Sequence, residues 1–419
     1  MFRKLICIVL LSVMPHGYGV AAEISIRFED IGDYALANSP HAKILEKDLD
    51  FIRADRDASL RWSNPELLYE LEQVKSGSES LREYSVLLEK EFAMPWITTR
   101  NRAGWNLRLE AARHTKTAQT WHLLSMLRRG YVELKIYERE MDYLEEFELL
   151  MERASKISGA RKLEGTISGM EQHLIEMSLL GIRRRIHGIR TEYRTLLAEW
   201  KIEMGIPAED GVRLETEMVF KQKFPDSSLK SVSEKDETAD LLGRRLSTEA
   251  LGKSLQMEKG GLLPSVTITG GYKNAEDTFE GFVVGLKMPI PLLNRNTGQV
   301  ERVRTEYVKA KMQLDLYQSE RRRRIHLLIE NAEEKSGLLG RYSEKMEKID
   351  GHIEDLVESY SEGWLTLAGL LEGIEIYTDG IENYFGLLGE YFAAIFELET
   401  LTERELVNSA LAEGEAIEQ

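Results

Sequence analysis

Four stretches of the chain alternate apolar and polar residues with period two, and most of the rest repeats every three and four residues. In Glu66–Val74, Leu67, Tyr69 and Leu71 share a face opposite Glu66, Glu70 and Glu72. In Arg82–Phe92, Tyr84, Val86, Leu88 and Phe92 oppose Ser85, Leu87, Glu89 and Glu91. Val266, Ile268 and Tyr272 share a face of Ser265–Lys273, and Phe282, Val284, Leu286, Met288 and Ile290 share one in Glu280–Ile290. Period two predicts amphipathic strands. Each has the length of about 9–11 residues that a tilted transmembrane β-strand needs. Leu67, Tyr69, Val86, Leu88, Val284 and Leu286 are expected to face lipid, with Glu70 and Lys287 inward.

Helical patterns surround these strands. Ala35, Ala37, Ile44, Leu45, Leu49 and Ile52 mark a helix over Asp33–Trp62, stopped at Asn64-Pro65 because the residue before proline avoids the α region. Ser76-Gly77-Ser78 reads as the first hairpin turn. After Met94-Pro95 a very long helix runs to about Ala154, with Leu124, Leu127, Tyr131, Leu134 and Met141 in its seam. A break is expected at Ser155–Gly159. Ile175, Leu179, Ile182, Ile186, Ile189, Tyr193, Leu196 and Trp200 then step by four and three until Gly205-Ile206-Pro207. Asp210–Asp236 has no clear period and reads as an irregular connector.

The order then repeats. Leu241–Lys259 is helical, Pro264 opens the second hairpin, and Pro289-Ile290-Pro291 closes it. Asn296 with Gln299 gives the next helix a capping-box start. That helix runs to Tyr360 through Val300, Val303, Tyr307, Ala310, Leu314 and Tyr317, then Tyr342, Met346, Ile349, Ile353 and Leu356. Ser361–Thr366 is the second break, and Leu370, Ile374, Tyr377, Ile381, Tyr384, Leu388, Tyr391, Ile395 and Leu398 form the last seam. Helix, two strands, long helix, turn and long helix therefore occur twice, a duplication at about 200 residues. The expected division is a leader over 1–22, a first repeat over 23–208 (hairpin 65–92, turn near 155–163) and a connector over 209–238. A second repeat over 239–412 (hairpin 265–290, turn near 361–367) and an acidic tail over 413–419 complete it. Helices of about 55 residues would be roughly 80 Å long.

The order basic Met1–Lys4, apolar Leu5–Met14, then Val20-Ala21-Ala22 before Glu23 predicts a cleaved signal peptide. Cys7, the one cysteine, falls inside that leader, so no lipid attachment is expected. No later stretch is apolar enough for a transmembrane helix, which leaves a closed barrel as the way to span a membrane. Four strands cannot close around a pore, so several chains must contribute, and three copies give an even twelve.

The runs P-x-x-x-I-x-G-G-Y at Pro264–Tyr272 and V-G-L-x-x-P-I-P-L-L-N-R-N-x-G at Val284–Gly298 resemble the TolC-like outer membrane factor (outer membrane efflux protein) family. The wording at Leu292–Gly298 looks most like its heavy-metal-exporting branch. The resemblance covers nearly the whole mature chain. It implies a mainly α fold with a small β-barrel part. Long coiled α-hairpins would form a trimeric α-barrel tunnel, and four strands per chain would enter a shared 12-stranded outer-membrane barrel. It implies an exit duct for a tripartite efflux or type I secretion system, working with a periplasmic adaptor (membrane fusion protein) and an inner-membrane pump. The strand–helix joints would be Pro95, Pro289, Pro291, Asn296 and Gly298.

The same resemblance points to the helical turns. There the family pattern Y-S-x-G-x-R-T-x-x-D-x-L-D narrows the tunnel and meets the adaptor. Here Tyr360, Gly363, Thr366 and Leu371 match, Leu365 stands for the arginine, Gly369 for the first acid, and Glu372 for the last. In the first turn the acid position holds Gly165, with Glu164 beside it. The implied pore constriction is Glu372, Gly369, Glu164 and Tyr360. The implied adaptor contacts are Gly159, Arg161, Leu163, Gly363, Thr366 and Leu367. The departures remove the charged latch of the family pattern.

Charge and motifs narrow the alternatives. A net charge of −16 disfavours nucleic acid as a partner. The eight histidines are scattered, and no metal, phosphate-loop or catalytic constellation is present, so no cofactor, metal site or enzyme activity is expected. Arg183-Arg184-Arg185 and Arg321–Arg324 read as solvated or Glu-paired helix faces. A periplasmic or secreted coiled-coil scaffold would explain the heptads but not the two amphipathic hairpins.

Overall fold

The protein is described from a computed structural model. The structure describes residues 23–76, 79–216, 219–220, 237–261, 265–275, 279–293, 295–346, 348–407 and 411–412. The expected leader, the turn at Gly77-Ser78, most of the connector, Pro264, Asn294 and the tail over 413–419 lie outside the described residues.

The chain opens with strand β1 (Glu23–Ile26), a short turn of 3-10 helix, and helices α1 (Ile31–Asn38) and α2 (Pro40–Leu60). The single helix expected over Asp33–Trp62 is two, because Pro40 lacks an N–H and starts α2 at its first turn. Strands β2 (Glu66–Ser76) and β3 (Glu79–Ala93) form the first hairpin and feed α3 (Pro95–Leu163), with proline again at the first helical position. At 69 residues α3 is about 100 Å long. Helix α4 (Gly169–Met204) returns beside it and ends at Gly205, whose φ of 76° suits a residue without a Cβ.

The break expected at Ser155–Gly159 lies inside α3; the turn occupies Glu164–Ser168. Ser158 Oγ donates to the Ser155 carbonyl at 2.8 Å, so its hydroxyl is satisfied within the helix. The true stop is Gly165, at φ 74°, followed by a capping box between Ser168 and Glu171. The connector is also less irregular than its sequence suggested. Its Gly211–Leu214 forms β4, which pairs in parallel with β1, and Val219–Phe220 (β5) pairs with the strand later in the chain at Leu411–Ala412. Strands of four and two residues are too short to show a period.

The second repeat follows the expected order. Helix α5 (Ala239–Lys259), strands β6 (Ser265–Ala275) and β7 (Phe279–Lys287), and helices α6 (Thr297–Met346), α7 (Ile349–Glu362) and α8 (Leu367–Thr402) precede the two-residue β8 (Leu411–Ala412). Strand β7 stops at Lys287, so Met288–Ile290 belong to the joint and not to the strand as expected. The long helix expected over 297–360 is interrupted between Met346 and Ile349, yet its seam stays continuous, since both residues and Ile353 are buried.

The heptad seams form one core. Leu127, Tyr131, Leu134, Ile175, Ile182, Ile186, Leu370, Ile374, Ile381, Leu388, Tyr391 and Ile395 are all buried in it. A buried Leu or Ile contributes roughly 1.5–3 kcal/mol, so these rows supply most of the packing that holds the helical pairs together. Midway along α3 the core closes around aromatic residues. Trp200 Nε1 donates to the Leu127 carbonyl at 2.8 Å, and Gly130 lies so close that a Cβ there would sit 2.8 Å from the Trp200 ring. Tyr131 Oη donates to the Ile26 carbonyl at 3.2 Å, tying β1 to α3. The end of α8 is fixed by Glu399, whose carboxylate accepts from the Leu406 and Val407 amides at 2.5 and 2.8 Å.

The hairpins join in one antiparallel sheet of order β2-β3-β6-β7. Its register puts Leu67, Tyr69, Leu71, Tyr84, Val86, Leu88, Phe282, Val284 and Leu286 on a single exposed face. Glu70, Ser85, Lys273, Thr267 and Lys287 stand on the other face. Strands β2 and β7 are open edges within the chain. No helix among the described residues is long and apolar enough to cross a membrane.

Candidate functional site

Two places in this architecture carry functional geometry, the helical tips and the joints beneath the sheet. At the second tip α7 ends at Glu362 and Gly363 takes φ 85°. The Trp364 amide reaches back to the Ser359 carbonyl at 2.9 Å, a helix-ending loop that needs the left-handed glycine. Thr366 then caps α8, accepting from the Gly369 amide at 3.2 Å. At the first tip the Thr166 hydroxyl and amide both donate to the Arg161 carbonyl at 2.9 Å.

Arg161 connects the two tips. From the last turn of α3, its guanidinium donates to the Tyr360 carbonyl at 2.9 Å and the Ser361 carbonyl at 2.7 Å. These are carbonyls at the C-terminal end of α7, where the helix leaves acceptors unsatisfied and its dipole is negative. The guanidinium also lies over the Tyr360 ring, 5.4 Å from its centroid. The fork of the guanidinium can address two carbonyls at once, which a lysine cannot do as well. So an arginine does hold the tips together in this chain. It comes from the first hairpin and grips backbone, whereas the motif resemblance placed it in the second.

The two departures at the second tip are one coupled arrangement. A Cβ on Gly369 would lie 2.7 Å from Leu365 Cδ1 and 3.3 Å from its Cγ. The leucine in the arginine position thus fills the space that a side chain at position 369 would take. Leu365 packs against the core, which makes this end of α8 apolar where the family pattern is charged.

The residues expected to line a constriction do not share one environment. Glu372 and Glu164 are exposed, on α8 and at the end of α3, and Gly369 is half-buried. Tyr360 is 3 % exposed and packs under Arg161, so its side chain belongs to the joint between the tips and does not face open space. Among the residues expected at the adaptor contact, Gly159 lies inside α3 and not in the turn. Arg161 is committed to the clasp, while Leu163, Gly363, Thr366 and Leu367 lie at the tips. Leu163 is 90 % exposed and Trp364 is 83 % exposed, an apolar pair at the extreme ends of the two hairpins. Trp364 was legible as a tryptophan inside a turn, a position where burial is not available. Glu140, about two-thirds of the way along α3, is buried, and burial with the nearby Glu382 on α8 and Glu192 on α4 pushes its carboxyl up to about 8. Nothing in the heptad pattern marks it.

The joints below the sheet are knitted across the repeats. Trp96 Nε1 donates to the Gly260 carbonyl at 3.2 Å, and Arg100 donates to the Gln256 carbonyl at 2.9 Å, so the start of α3 is bound to the end of α5. Asn296, at φ 58°, accepts the Val300 amide at its carbonyl and so stands at the cap position of α6. Its side-chain amide donates to the Glu258 carbonyl and carboxylate, at 3.2 and 2.8 Å, tying α6 to α5 as well. Asparagine tolerates this left-handed backbone better than most residues. Pro289 and Pro291 lie in the irregular link before it, where the Leu292 amide donates to the Ile290 carbonyl at 2.9 Å, and a Cβ on Gly298 would meet open space.

No protein-family model matches the chain, and no curated protein matches it in sequence. Its backbone is nevertheless similar to solved outer-membrane channels. With the CmeC outer membrane channel of Campylobacter jejuni the TM-score is 0.74 at 11% identity, covering 91% of this chain and 88% of that one. With the outer membrane protein VceC of Vibrio cholerae it is 0.72 at 13% identity, covering 90% and 96%. With CusC, whose structures concern folding and transmembrane channel formation, it is 0.72 at 12% identity, covering 90% and 91%. The chain therefore has the fold of these channels over nearly its whole length.

Proposed function

We propose that this protein is an outer-membrane exit duct of a tripartite efflux or type I secretion system. The observation that carries the reading is the four-stranded sheet, apolar on one exposed face, open at both edges, and joined directly to helical hairpins whose longest helix, α3, is about 100 Å long. An apolar face suits lipid, but open edges in lipid leave unpaired backbone groups, so the sheet must be completed by other copies. Three copies would close a barrel of twelve strands, with the helices continuing it as a tunnel into the periplasm. The protein performs no chemistry; it conducts passively, and an inner-membrane pump supplies the energy.

On this reading the tips face the periplasm. The adaptor would meet Glu164–Ser168 and Gly363–Leu367, with Leu163 and Trp364 as apolar anchors. Three Glu372 carboxylates, one per copy, would converge at the narrow end beside Gly369, attracting cations and discouraging anions. The leader over 1–22 would deliver the chain without lipid attachment. The coiled-coil scaffold alternative gives the sheet no task. Separating inner from outer membranes on a density gradient tests the proposal. The chain should follow the outer membrane and resist alkaline extraction, and recovery in the soluble periplasmic fraction would overturn it.

A further inference from the structure

The water-facing side of the sheet carries two lysines among its strands, and they differ in what surrounds them. Lys273 on β6 pairs with Glu83 on β3, Nζ to Oε1 at 2.5 Å. The two are not directly opposite; Lys273 stands across from Ser85 and reaches diagonally, two residues along. Lys287 ends the edge strand β7, is exposed, and has no ion-pair partner in its own chain among the described residues. The other edge strand, β2, carries Glu66, Glu70 and Glu72 on the same water-facing side. Glu70 is exposed and likewise has no ion-pair partner in its chain among the described residues.

If copies close into a barrel, β7 of one must lie beside β2 of the next, and the register of that contact follows from geometry. This step rests on the exit-duct reading above. Straight across the sheet, Lys287 is level with Thr267, and Thr267 with Glu91. Continuing the β2–β3 ladder past Glu66↔Glu89 makes Glu91 level with Asn64, two residues before β2 begins. A closed barrel adds a stagger. Four strands about 4.8 Å apart span roughly 19 Å, and a tilt of about 35–45° displaces the register by about 13–19 Å, or roughly four to six residues. In the sense that moves Lys287 up β2, the two edge strands overlap over most of their length. In the opposite sense they barely meet. Alternation allows only even steps, since Lys287 must stay on the water side. Lys287 then stands opposite Leu68 or Glu70: the six-residue stagger puts Glu70 directly across, and the four-residue stagger puts it two positions along β2, with Glu66 two positions the other way.

We propose that Lys287 of each copy pairs with Glu70 of the neighbouring copy, so that charge on the water side of the barrel sets the register in which identical chains close. The occupant of the open sheet edge is thus a second copy of this chain, placed by one lysine and one glutamate. A slip by two strand positions from Leu68 would bring Lys287 opposite Glu66 instead, so variants at Glu70 distinguish the two registers.

The test is a charge swap read on membrane-extracted protein by the fraction surviving as a heat- and detergent-resistant trimer. Lys287→Glu and Glu70→Lys should each lower that fraction by roughly threefold to tenfold, because like charges then face each other. The double variant Lys287→Glu/Glu70→Lys should recover most of it. Singles without effect, or a double variant as weak as the worse single, would overturn the pairing. Should the charge variants fail to reach the membrane, Glu70→Cys/Lys287→Cys gives a second reading. The chain's one cysteine, Cys7, falls in the expected leader, so a short thiol-bridging reagent should link only the introduced pair. Covalent trimers in the double cysteine variant, and not in either single one, are expected; their absence would overturn the register. A wild-type protein that is monomeric in detergent would instead refute the exit-duct reading, which keeps the two failures apart.

Discussion

Replacing Arg161 with alanine removes the contact that joins the two helical tips within a chain. The structure gives the size of the loss. The guanidinium makes two charge-assisted hydrogen bonds, at 2.9 and 2.7 Å, to carbonyls at the end of α7. Such bonds contribute about 1.5–3 kcal/mol each when well shielded, and this site is only half-buried, so the pair should be worth about 2–4 kcal/mol. If the clasped tips are the closed arrangement, the alanine variant shifts the closed-to-open ratio by about 30- to 700-fold per chain. Planar-bilayer conductance measures this: Arg161→Ala should conduct more, and for longer, than the wild type. Arg161→Lys should fall between, since an ammonium cannot span both carbonyls as a guanidinium does. Unchanged conductance in a variant that still folds and assembles would refute the clasp as a restraint on opening.

Three further predictions follow from single positions. Glu140, its carboxyl pushed up to about 8 by burial, is protonated in the folded chain where an unfolded chain would ionise it, so its contribution to stability is present at low pH and lost as pH rises toward 8. Glu140→Gln should therefore raise the melting temperature at about pH 8–9 and change it little near pH 5, whereas a pH-independent difference would contradict the assignment. On the sheet, Val284→Arg on the lipid side should cost about 2–4 kcal/mol in assembly and Thr267→Arg on the water side far less, so equal costs would refute the assigned faces. At the tip, Glu372→Gln should lower cation preference in bilayers and Glu372→Lys reverse or abolish it; unchanged selectivity in both would place Glu372 away from the constriction.

Much of this fold could be read from hydrophobic spacing because long seams repeat many times. The rows through Ile175–Trp200 and Leu370–Leu398 are buried or half-buried as their periodicity requires. The strands were equally legible, since alternation over nine or more residues separates one face from the other. What escaped were features fixed by partners distant in sequence. Strand β4 is defined by β1, nearly two hundred residues away, and four residues alone show no period. The first turn was misplaced because Ser155–Gly159 carries helix-weakening residues, whereas Gly165 and the Ser168/Glu171 box actually end the helices. At the tips the motif comparison located the region but not its contacts. It could not show that Leu365 fills the space beside Gly369, or that Arg161 reaches across to the Tyr360 and Ser361 carbonyls. Both depend on how two hairpins sit side by side.

On the exit-duct proposal, several copies of this chain form one water-filled duct across a lipid bilayer. Reconstitution of the detergent-purified protein into planar bilayers, with its native mass measured on the same preparation, tests that claim most directly. A particle of three chains that gives discrete, long-lived conductance steps is the predicted result. A monomer that leaves the bilayer insulating, with Arg161→Ala equally silent, would contradict it.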